Sequence, residues 1–389
     1  MLKPLEATQL DSKVKAFEIE LRKSVRGDLY TDEMSRGLYA TDASIYQMFP
    51  VAVFLPLDEE DVKTAVKIAF EHRIPILPRG GGTSLGGQTV GAALVLDFSK
   101  YMNKLLELNV DECWVRVQPG IVRDELNVML ADHGLHLSID PATANRANVG
   151  GMIGNNSSGT KSIIYGKMVD QVIEAKVLLA NGEVMEYKEL SPEEYEEKKK
   201  GDTREALIYT EFQKIVRDNR EEIERRYPKI LRRVQGYNLD EFHKSKRWNL
   251  AKLITGSEGT LITLLEAKVK VQPVPKEKIL CVAHYADLIE SIKAVPWIVK
   301  HQPSAVEILT GGVIKLARDN HNLAPLCSFI EGSPAAVLIV EFFGDDKEEL
   351  LQHAKEMAKD LTGKELGYNY PIFSDAEDQE RIWTVRKNS

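Results

Sequence analysis

The segment with the clearest potential for chemistry is glycine-rich, PRGGGTSLGG, and runs from Pro78 to Gly87. Glycine accepts positive φ angles and lets a ligand approach the main chain closely. Successive backbone N–H groups in such a turn form a concave site for anions. The segment lacks the lysine of a Walker A loop, and Leu85 stands where a GxGxxG fingerprint starting at Gly80 needs glycine. The sequence therefore predicts a main-chain phosphate site, with a plain tight turn as the alternative.

Three side chains within this segment add to the predicted anion site. The hydroxyl groups of Thr83 and Ser84 can donate hydrogen bonds to phosphate oxygens. Arg79 is a candidate counter-charge, or alternatively the partner of a nearby carboxylate.

Two later segments share this composition. PATANRANVGGMIGNNSSGTKSIIYG, residues 141–166, is dense in glycine, asparagine and serine, and GSEGTL, residues 256–261, again places glycines beside a strand. A loop as long as the first of these is usually functional or disordered. We expect both segments to complete one ligand site, and the alternative for the longer one is a surface loop.

The elements around the glycine segment follow a β-α-β pattern. Strands are predicted at 51–56, 74–77 and 92–99, with an amphipathic helix at 58–73 between the first two. This order places the glycine segment at the carboxyl end of a strand, the usual ligand end of such units. A further strand, a helix and a hairpin that turns at Asn181 and Gly182 are expected in the following part of the chain.

Composition shifts divide the chain into regions, and Pro273 and Pro275 mark a boundary. The predicted regions are an N-terminal helical segment (1–45), a central domain (46–275, with subdomains 46–105 and 106–275 and a solvated, charged helical insertion at 191–247), and an incomplete C-terminal domain (276–389). The last region alternates strand and helix, which favours an α+β domain with a mainly antiparallel sheet.

Charge and cysteine content exclude several classes of protein. The net charge of −8 argues against a nucleic-acid partner. The three cysteines are far apart and form no CxxC pair, which argues against an iron–sulfur or structural zinc site. No apolar run reaches the roughly 18 residues of a transmembrane segment, and the N-terminus has no signal-peptide core. We expect a cytoplasmic protein, with peripheral membrane attachment as the alternative.

The three glycine-containing motifs, in this order, resemble the FAD-binding domain of the vanillyl-alcohol oxidase/p-cresol methylhydroxylase (PCMH) type. Within that type, the chain looks like the branch of glycolate oxidase, D-lactate dehydrogenase and D-2-hydroxyglutarate dehydrogenase, over about residues 45–275. The resemblance implies an α+β fold, with a two-subdomain FAD-binding domain followed by an α+β substrate or cap domain. The stretch RGLYATDASIYQMFPVAV resembles larger members that carry an iron–sulfur domain, so an electron acceptor or such a domain is expected outside this chain.

The resemblance also implies which residues bind FAD. They are Arg79, Gly80, Gly81, Gly82, Thr83, Ser84, Leu85, Gly86, Pro141, Thr143, Gly150, Gly151, Gly154, Asn155, Ser157, Ser158, Gly159, Glu258 and Gly259. Covalent members carry a histidine at the position of Thr83, so non-covalent FAD is implied here. Related chains tend to have a small residue at the position of Ile262, and the larger side chain is expected to shift the loop beside it.

The implied activity is oxidation of a D-2-hydroxy acid, such as lactate, glycolate or 2-hydroxyglutarate, to the 2-keto acid. Arg386 is the implied partner of the substrate carboxylate, or alternatively a solvated terminal arginine. The general base is expected beyond residue 389, and His301 and His321 lack the spacing of the family's metal site, so no metal is expected. The alternatives are an FAD-linked alcohol or sugar oxidase that uses oxygen, a flavin-binding module of a larger electron-transfer protein, and binding of a UDP-sugar or a nucleotide by similar loops.

Overall fold

A computed structural model describes residues 7–243 and 245–388, which divide into two compact units. The first unit runs to Ser158 and continues from Lys167 to Pro273, and the second contains Gly159–Gly166 and the chain from Val274 onward. The segment 159–166 therefore belongs to the second unit, although it lies within the sequence of the first.

The elements are numbered in chain order. The strands are β1 (Asp28–Tyr30), β2 (Ala52–Leu55), β3 (Ile76–Arg79), β4 (Leu94–Asp97), β5 (Leu105–Asn109), β6 (Trp114–Val117), β7 (Leu135–His136), β8 (Val172–Leu178), β9 (Val184–Tyr187), β10 (Glu189–Leu190), β11 (Trp248–Asn249), β12 (Thr263–Lys270), β13 (Gln272–Pro273), β14 (Glu277–Tyr285), β15 (Ala305–Thr310), β16 (Ala336–Gly344) and β17 (Ile372–Phe373). The helices are α1 (Ala7–Ser24), α2 (Glu33–Leu38), α3 (Glu59–Glu71), α4 (Arg123–Ala131), α5 (Val149–Asn155), α6 (Ser162–Tyr165), α7 (Met168–Gln171), α8 (Pro192–Lys198), α9 (Arg204–Asp218), α10 (Arg220–Arg226), α11 (Asp240–His243), α12 (Leu250–Ile254), α13 (Leu288–Ile298), α14 (Gly311–Asp319), α15 (Lys347–Gly363) and α16 (Ala376–Asn388), with 3-10 turns at Val299–His301 and Ala324–Phe329.

The first sheet has the order β1-β2-β4-β3 and contains the predicted β-α-β unit. Strands β2 and β3 both pair in parallel with β4, whose four residues are buried. Asp58 caps the N-terminus of helix α3, because its side chain accepts from the Asp61 N–H, and the apolar face of α3 packs on this sheet. Strand β1 pairs antiparallel with β2. The region 1–45, expected to be helical, therefore also supplies a strand to this sheet.

The second sheet of the first unit is antiparallel, with the order β5-β6-β12-β8-β9. Strands β8 and β9 form the hairpin expected at 172–187. Its loop is longer than a two-residue turn, because the Leu179 N–H donates to the Glu183 carbonyl and Gly182 takes the positive φ of 89°. Strand β12 of this sheet contributes Leu264 to the wall of the cavity described below.

The charged insertion differs from a fully solvated one. Helices α8 to α10 expose many charges, but Tyr195, Tyr209, Phe212, Phe242 and Trp248 pack edge to face. Their ring centroids lie 4.8 to 5.7 Å apart. Each such pair adds roughly 0.5–1.5 kcal/mol beyond area burial, so the insertion has an apolar core of its own.

The second unit is built on a four-stranded antiparallel sheet with the order β15-β16-β14-β17, as the sequence predicts. Helices α13 and α15 cover one face of this sheet, and α14 and α16 cover part of the other. Alternate residues of β14 serve the two cores: Ile279 and Cys281 point to the first face, and Leu280 and Val282 to the second. Among the helices that the structure describes, none is long and apolar enough to cross a bilayer.

Candidate cofactor site

A cavity of about 580 Å³ lies in the first unit, where the three glycine-containing segments meet. This volume falls within the roughly 300–1,000 Å³ of small-molecule sites. All the cofactor-binding residues predicted above line the cavity, except Ser158 and Gly159. The Ser158 hydroxyl instead accepts from the Arg232 guanidinium at 3.4 Å, and Gly159 belongs to the second unit.

The glycine loop after β3, residues 80–87, presents unpaired main-chain donors. Within residues 7–243 and 245–388, the N–H groups of residues 81–85 donate to no protein acceptor. The Gly82 carbonyl accepts from the Ala43 N–H at 3.0 Å, and Gly82 takes a φ of 63°. A run of free N–H groups around a positive-φ glycine is the geometry of an anion site.

Close approach of neighbouring chain explains several of the glycines. A Cβ atom on Gly81 would overlap the Arg146 carbonyl oxygen, and one on Gly150 would lie 2.6 Å from the Pro119 Cβ. At Gly151, in contrast, no heavy atom lies within 4 Å of the Cβ position. Because Gly151 lines the cavity, a side chain there would occupy space that the structure leaves for a ligand.

Asn148 supplies a buried polar atom at the same place. Its Nδ2 donates to the Gly120 carbonyl, whereas its Oδ1 is buried without a hydrogen-bond partner. An unsatisfied buried acceptor costs about 1–3 kcal/mol, and a hydroxyl or N–H of a bound nucleotide would relieve that cost. The free N–H groups, the open position at Gly151 and this acceptor together fit a bound dinucleotide such as FAD.

Arg79 lines the cavity, but its guanidinium is engaged by main-chain carbonyls. It donates to the carbonyls of Tyr39 (3.0 Å), Thr41 (2.8 Å) and Thr89 (2.9 Å). Burial lowers the pKa of Arg79, and the charges of Asp42 and Asp97 oppose that shift. In the part of the chain that the structure describes, Arg79 forms no direct ion pair with a carboxylate. The structure therefore does not show the alternative in which Arg79 pairs with a nearby carboxylate.

The third segment closes the cavity with two residues at positive φ, Glu258 (51°) and Gly259 (74°). The Glu258 carboxylate accepts from the Gln88 amide at 3.2 Å, which links this turn to the residue after the glycine loop. The side chain of Ile262, whose size the resemblance singled out, is part of the cavity wall.

Sequence reasoning missed a number of lining residues. They are Pro78, Gln88, Thr89, Phe98, Pro119, Ala147, Asn148, Met152, Ile153, Gln235, Ile254, Ser257 and Leu264. Asn148 directly precedes the VGG motif, a position that could have marked it. Gln235 comes from the charged insertion, and nothing in the local sequence indicates that it reaches the cavity.

In the second unit, the predicted substrate residue Arg386 lies on α16 and is already paired. Its Nε and Nη2 donate to one Glu307 oxygen at 2.9 and 2.7 Å. Glu307 shares a sheet face with Glu341 and Lys278, as the strand register shows. Burial lowers the pKa of Lys278, with a further contribution from the charge of Lys161, whose Nζ lies 3.5 Å from Glu341. Opposite charges therefore concentrate at one end of this sheet face.

The histidines named above take ordinary roles. His301 contacts the Asp360 carboxylate at 3.4 Å, and His321 is exposed. Over residues 7–243 and 245–388, no group of three or more histidine, cysteine, aspartate or glutamate side chains is arranged to hold a metal ion.

Comparison with known proteins agrees with this geometry. Two protein-family models match the chain: an FAD binding domain over residues 50–188, and the C-terminal domain of FAD linked oxidases over residues 274–389. D-2-hydroxyglutarate dehydrogenase of Pseudomonas putida is 34% identical over 379 residues, covering 94% of this chain and 37% of that protein. Glycolate oxidase subunit GlcD of Bacillus subtilis is 29% identical, covering 82% of this chain and 57% of the relative. A mitochondrial D-lactate dehydrogenase (cytochrome) of Kluyveromyces lactis is 26% identical, covering 87% of this chain and 50% of the relative.

A solved structure of alkyldihydroxyacetonephosphate synthase shares the fold. Its TM-score is 0.63 at 19% identity, and the match covers 99% of this chain and 65% of that one. Together, the family models and the relatives place the chain in a class of flavoproteins.

The chain belongs to the FAD-linked oxidases, in the PCMH-type branch that contains D-2-hydroxyglutarate dehydrogenase, D-lactate dehydrogenase and glycolate oxidase subunits. The expectations of an α+β fold and of FAD as the cofactor are thereby confirmed. The chain spans about 37% of the length of the D-2-hydroxyglutarate dehydrogenases that it matches.

Proposed function

We propose that this protein is the flavin-binding part of an FAD-dependent dehydrogenase that oxidises a D-2-hydroxy acid to the 2-keto acid and passes the electrons to a separate acceptor. The observation that carries the proposal is the cavity whose glycine loop leaves the N–H groups of residues 81–85 unpaired. The relatives named above, which are dehydrogenases or an oxidase subunit for hydroxy acids, support the choice of substrate class.

Residues of the cavity would hold FAD in the following way. The N–H groups of residues 81–85, with the hydroxyls of Thr83 and Ser84, would bind the pyrophosphate. Segment 141–157 would line the diphosphate and the flavin edge, and Glu258 and Gly259 would lie near the adenine and ribose. When bound, FAD supplies the redox chemistry, and the protein supplies orientation and electrostatics. Threonine at position 83 offers no nitrogen for a flavin linkage, so we propose that FAD is held non-covalently.

Arg386 is the proposed partner of the substrate carboxylate. Its planar guanidinium can bind a carboxylate through two hydrogen bonds, a geometry that lysine lacks. In the structure Glu307 provides that carboxylate, and Arg386 is about 30% exposed. We propose that the substrate carboxylate shares or replaces this contact.

The proposal is tested on the purified protein, first for flavin and then for turnover. We expect a yellow protein with flavin absorbance whose flavin is identified as FAD after release. It should then reduce an artificial electron-accepting dye with at least one of D-lactate, glycolate and D-2-hydroxyglutarate, and not with L-lactate or L-2-hydroxyglutarate.

Two other outcomes have a definite meaning. Peroxide release with an alcohol or a sugar, without dye reduction by the 2-hydroxy acids, would favour an oxygen-using oxidase and contradict the proposal. Bound FAD that no substrate of the panel reduces would favour a flavin-binding module of a larger electron-transfer protein.

A further inference from the structure

The N-terminal segment 39–48 folds against the glycine loop, and we propose that this segment, here called the clasp, holds that loop in its anion-binding shape. Asp42 is then a positioning residue for FAD that acts through the loop, and Arg79, which lines the cavity, also holds the clasp against that loop. The inference rests on the proposed placement of the FAD pyrophosphate at residues 81–85.

The clasp has a defined shape of its own. The Met48 N–H donates to the Ala40 carbonyl at 2.8 Å, and Thr41 and Gln47 form a bridge, so the two ends of the segment are paired. The Tyr39 hydroxyl donates to Asp97 at 2.7 Å, and Asp97 lies at the end of β4. The clasp is therefore anchored to the sheet that carries the glycine loop.

The first link between clasp and loop is made by main-chain atoms. The Ala43 N–H donates to the Gly82 carbonyl at 3.0 Å. A carbonyl oxygen that faced a bound phosphate would repel it. Because the clasp engages this carbonyl, the N–H groups on either side of Gly82 remain the groups available to an anion.

The second link is the Asp42 carboxylate. Its Oδ2 accepts from the Thr89 hydroxyl at 2.9 Å and from the Thr89 N–H at 3.3 Å, and its Oδ1 accepts from the Ser44 N–H at 2.8 Å. Burial opposes ionisation of Asp42, but the hydrogen bonds from Ser44 and Thr89 outweigh it and lower the pKa. The ionised Asp42 thus fixes the chain just after the glycine loop, at Thr89, to the clasp.

The third link is Arg79, at the start of the loop. Its guanidinium joins two clasp carbonyls, those of Tyr39 and Thr41, to the Thr89 carbonyl. A Cβ atom on Gly82 would lie 2.7 Å from the Arg79 Nη2, so the turn at Gly82 lies against this charge. Since three carbonyls rather than a carboxylate hold the guanidinium, its positive charge is not directly neutralised and favours an anion at the loop.

The test is a double-mutant cycle on the Asp42–Thr89 pair, read out as the Kd for FAD of protein freed of flavin. Asp42→Asn and Thr89→Val each remove the charge-assisted hydrogen bond, and we expect each to raise the Kd about tenfold, equivalent to about 1.4 kcal/mol. The double variant should be little weaker than either single one, because both substitutions remove the same contact. Thr89→Ser keeps the hydroxyl that donates to Asp42, so it should weaken FAD binding less than Thr89→Val does, although Thr89 also lines the cavity.

Control variants distinguish an effect on the position of the glycine loop from an effect on the stability of the protein. Ile45→Ser changes the clasp tip, where the side chain is 94% exposed, and should leave the Kd unchanged. The melting temperature of each flavin-free variant is measured alongside the Kd. If Asp42→Asn does not fold, the difference in Kd between Thr89→Val and Thr89→Ser still tests the inference. A lowered melting temperature with an unchanged Kd, or strictly additive effects on the Kd, would overturn the inference. Failure of the parent protein to bind FAD would instead contradict the proposed function.

Discussion

At the residue scale, the site depends on main-chain groups more than on charged side chains. The unpaired N–H groups of residues 81–85 and the orphaned Asn148 Oδ1 are the features that fit a nucleotide. Arg79, the charged residue within the glycine segment, is used to hold carbonyls. The glycine-rich segments therefore indicate the chemistry of the site more directly than its charged side chains do.

The proposed non-covalent attachment of FAD depends on Thr83 and is simple to check. After acid precipitation of the purified protein, we expect all flavin in the supernatant and none in the pellet. A yellow pellet, or flavin fluorescence that stays with the protein band on a denaturing gel, would contradict this prediction.

Arg386 gives a prediction about substrate affinity. Arg386→Lys keeps the charge but loses the two-pronged geometry, so KM for the hydroxy acid should rise at least tenfold, the equivalent of about 1.4 kcal/mol. FAD content should not change. Glu307→Gln is the matched variant: it weakens the competing contact of Arg386 and should leave KM equal or lower. An unchanged KM in Arg386→Lys would remove this residue from substrate binding.

At the element scale, the sequence predicts strands and helices well where the hydrophobic pattern is strong. The β-α-β unit around α3 and the strand–helix pairs β14–α13 and β16–α15 are as predicted, because their alternating or helical periodicity coincides with buried faces. Strand β1 was missed because three residues carry too little pattern. The aromatic core of the insertion was missed because its members are scattered among charged residues over more than fifty positions.

The residues of the candidate site also divide into those that the sequence predicts and those that it does not. Residues of the glycine segments that line the cavity could be predicted, since the composition of each segment is typical of a ligand-binding loop. Gln235 and the clasp reach the site only through tertiary folding, and no local pattern indicates it. Gly159 continues a motif in sequence but belongs to the other unit, and its contact with FAD stays a prediction.

His284, near the end of β14, leads to a prediction about how the stability of the protein depends on pH. This side chain is fully buried, its Nδ1 donates to the Val282 carbonyl at 2.9 Å, and its Nε2 accepts from the Glu331 N–H at 3.1 Å. Burial lowers the pKa of His284, although nearby backbone groups and the Glu331 charge oppose the shift. The folded state therefore binds the proton less readily than the unfolded chain, whose histidine pKa is about 6.5.

The sign of the effect follows from that difference. Stability contributed by neutral His284 is complete above the unfolded pKa and is lost as the pH falls below it. We expect the melting temperature to fall as the pH drops below about 6.5, and His284→Gln to make that fall shallower. An equally steep fall in the variant would show that other groups control the acid limb.

At the scale of the whole molecule, the chain combines an FAD-binding unit with a second α+β unit that holds Arg386. It belongs to the FAD-linked oxidases, and it covers about 37% of the D-2-hydroxyglutarate dehydrogenases that resemble it. The central claim is that FAD occupies the cavity between the three glycine-containing segments. Everything proposed for substrate and electron acceptor depends on that claim.

The measurement that tests this claim most directly is FAD affinity and flavin-free stability in Gly151→Leu, compared with Gly363→Leu. Both glycines are helical and have no heavy atom within 4 Å of the Cβ position, but only Gly151 lines the cavity. Leucine is the better helix former by roughly 0.5–1 kcal/mol, so neither substitution should lower the melting temperature of flavin-free protein. We predict that Gly151→Leu raises the Kd for FAD at least a hundredfold and that Gly363→Leu leaves it unchanged. Parental FAD affinity in a folded Gly151→Leu protein would contradict the account.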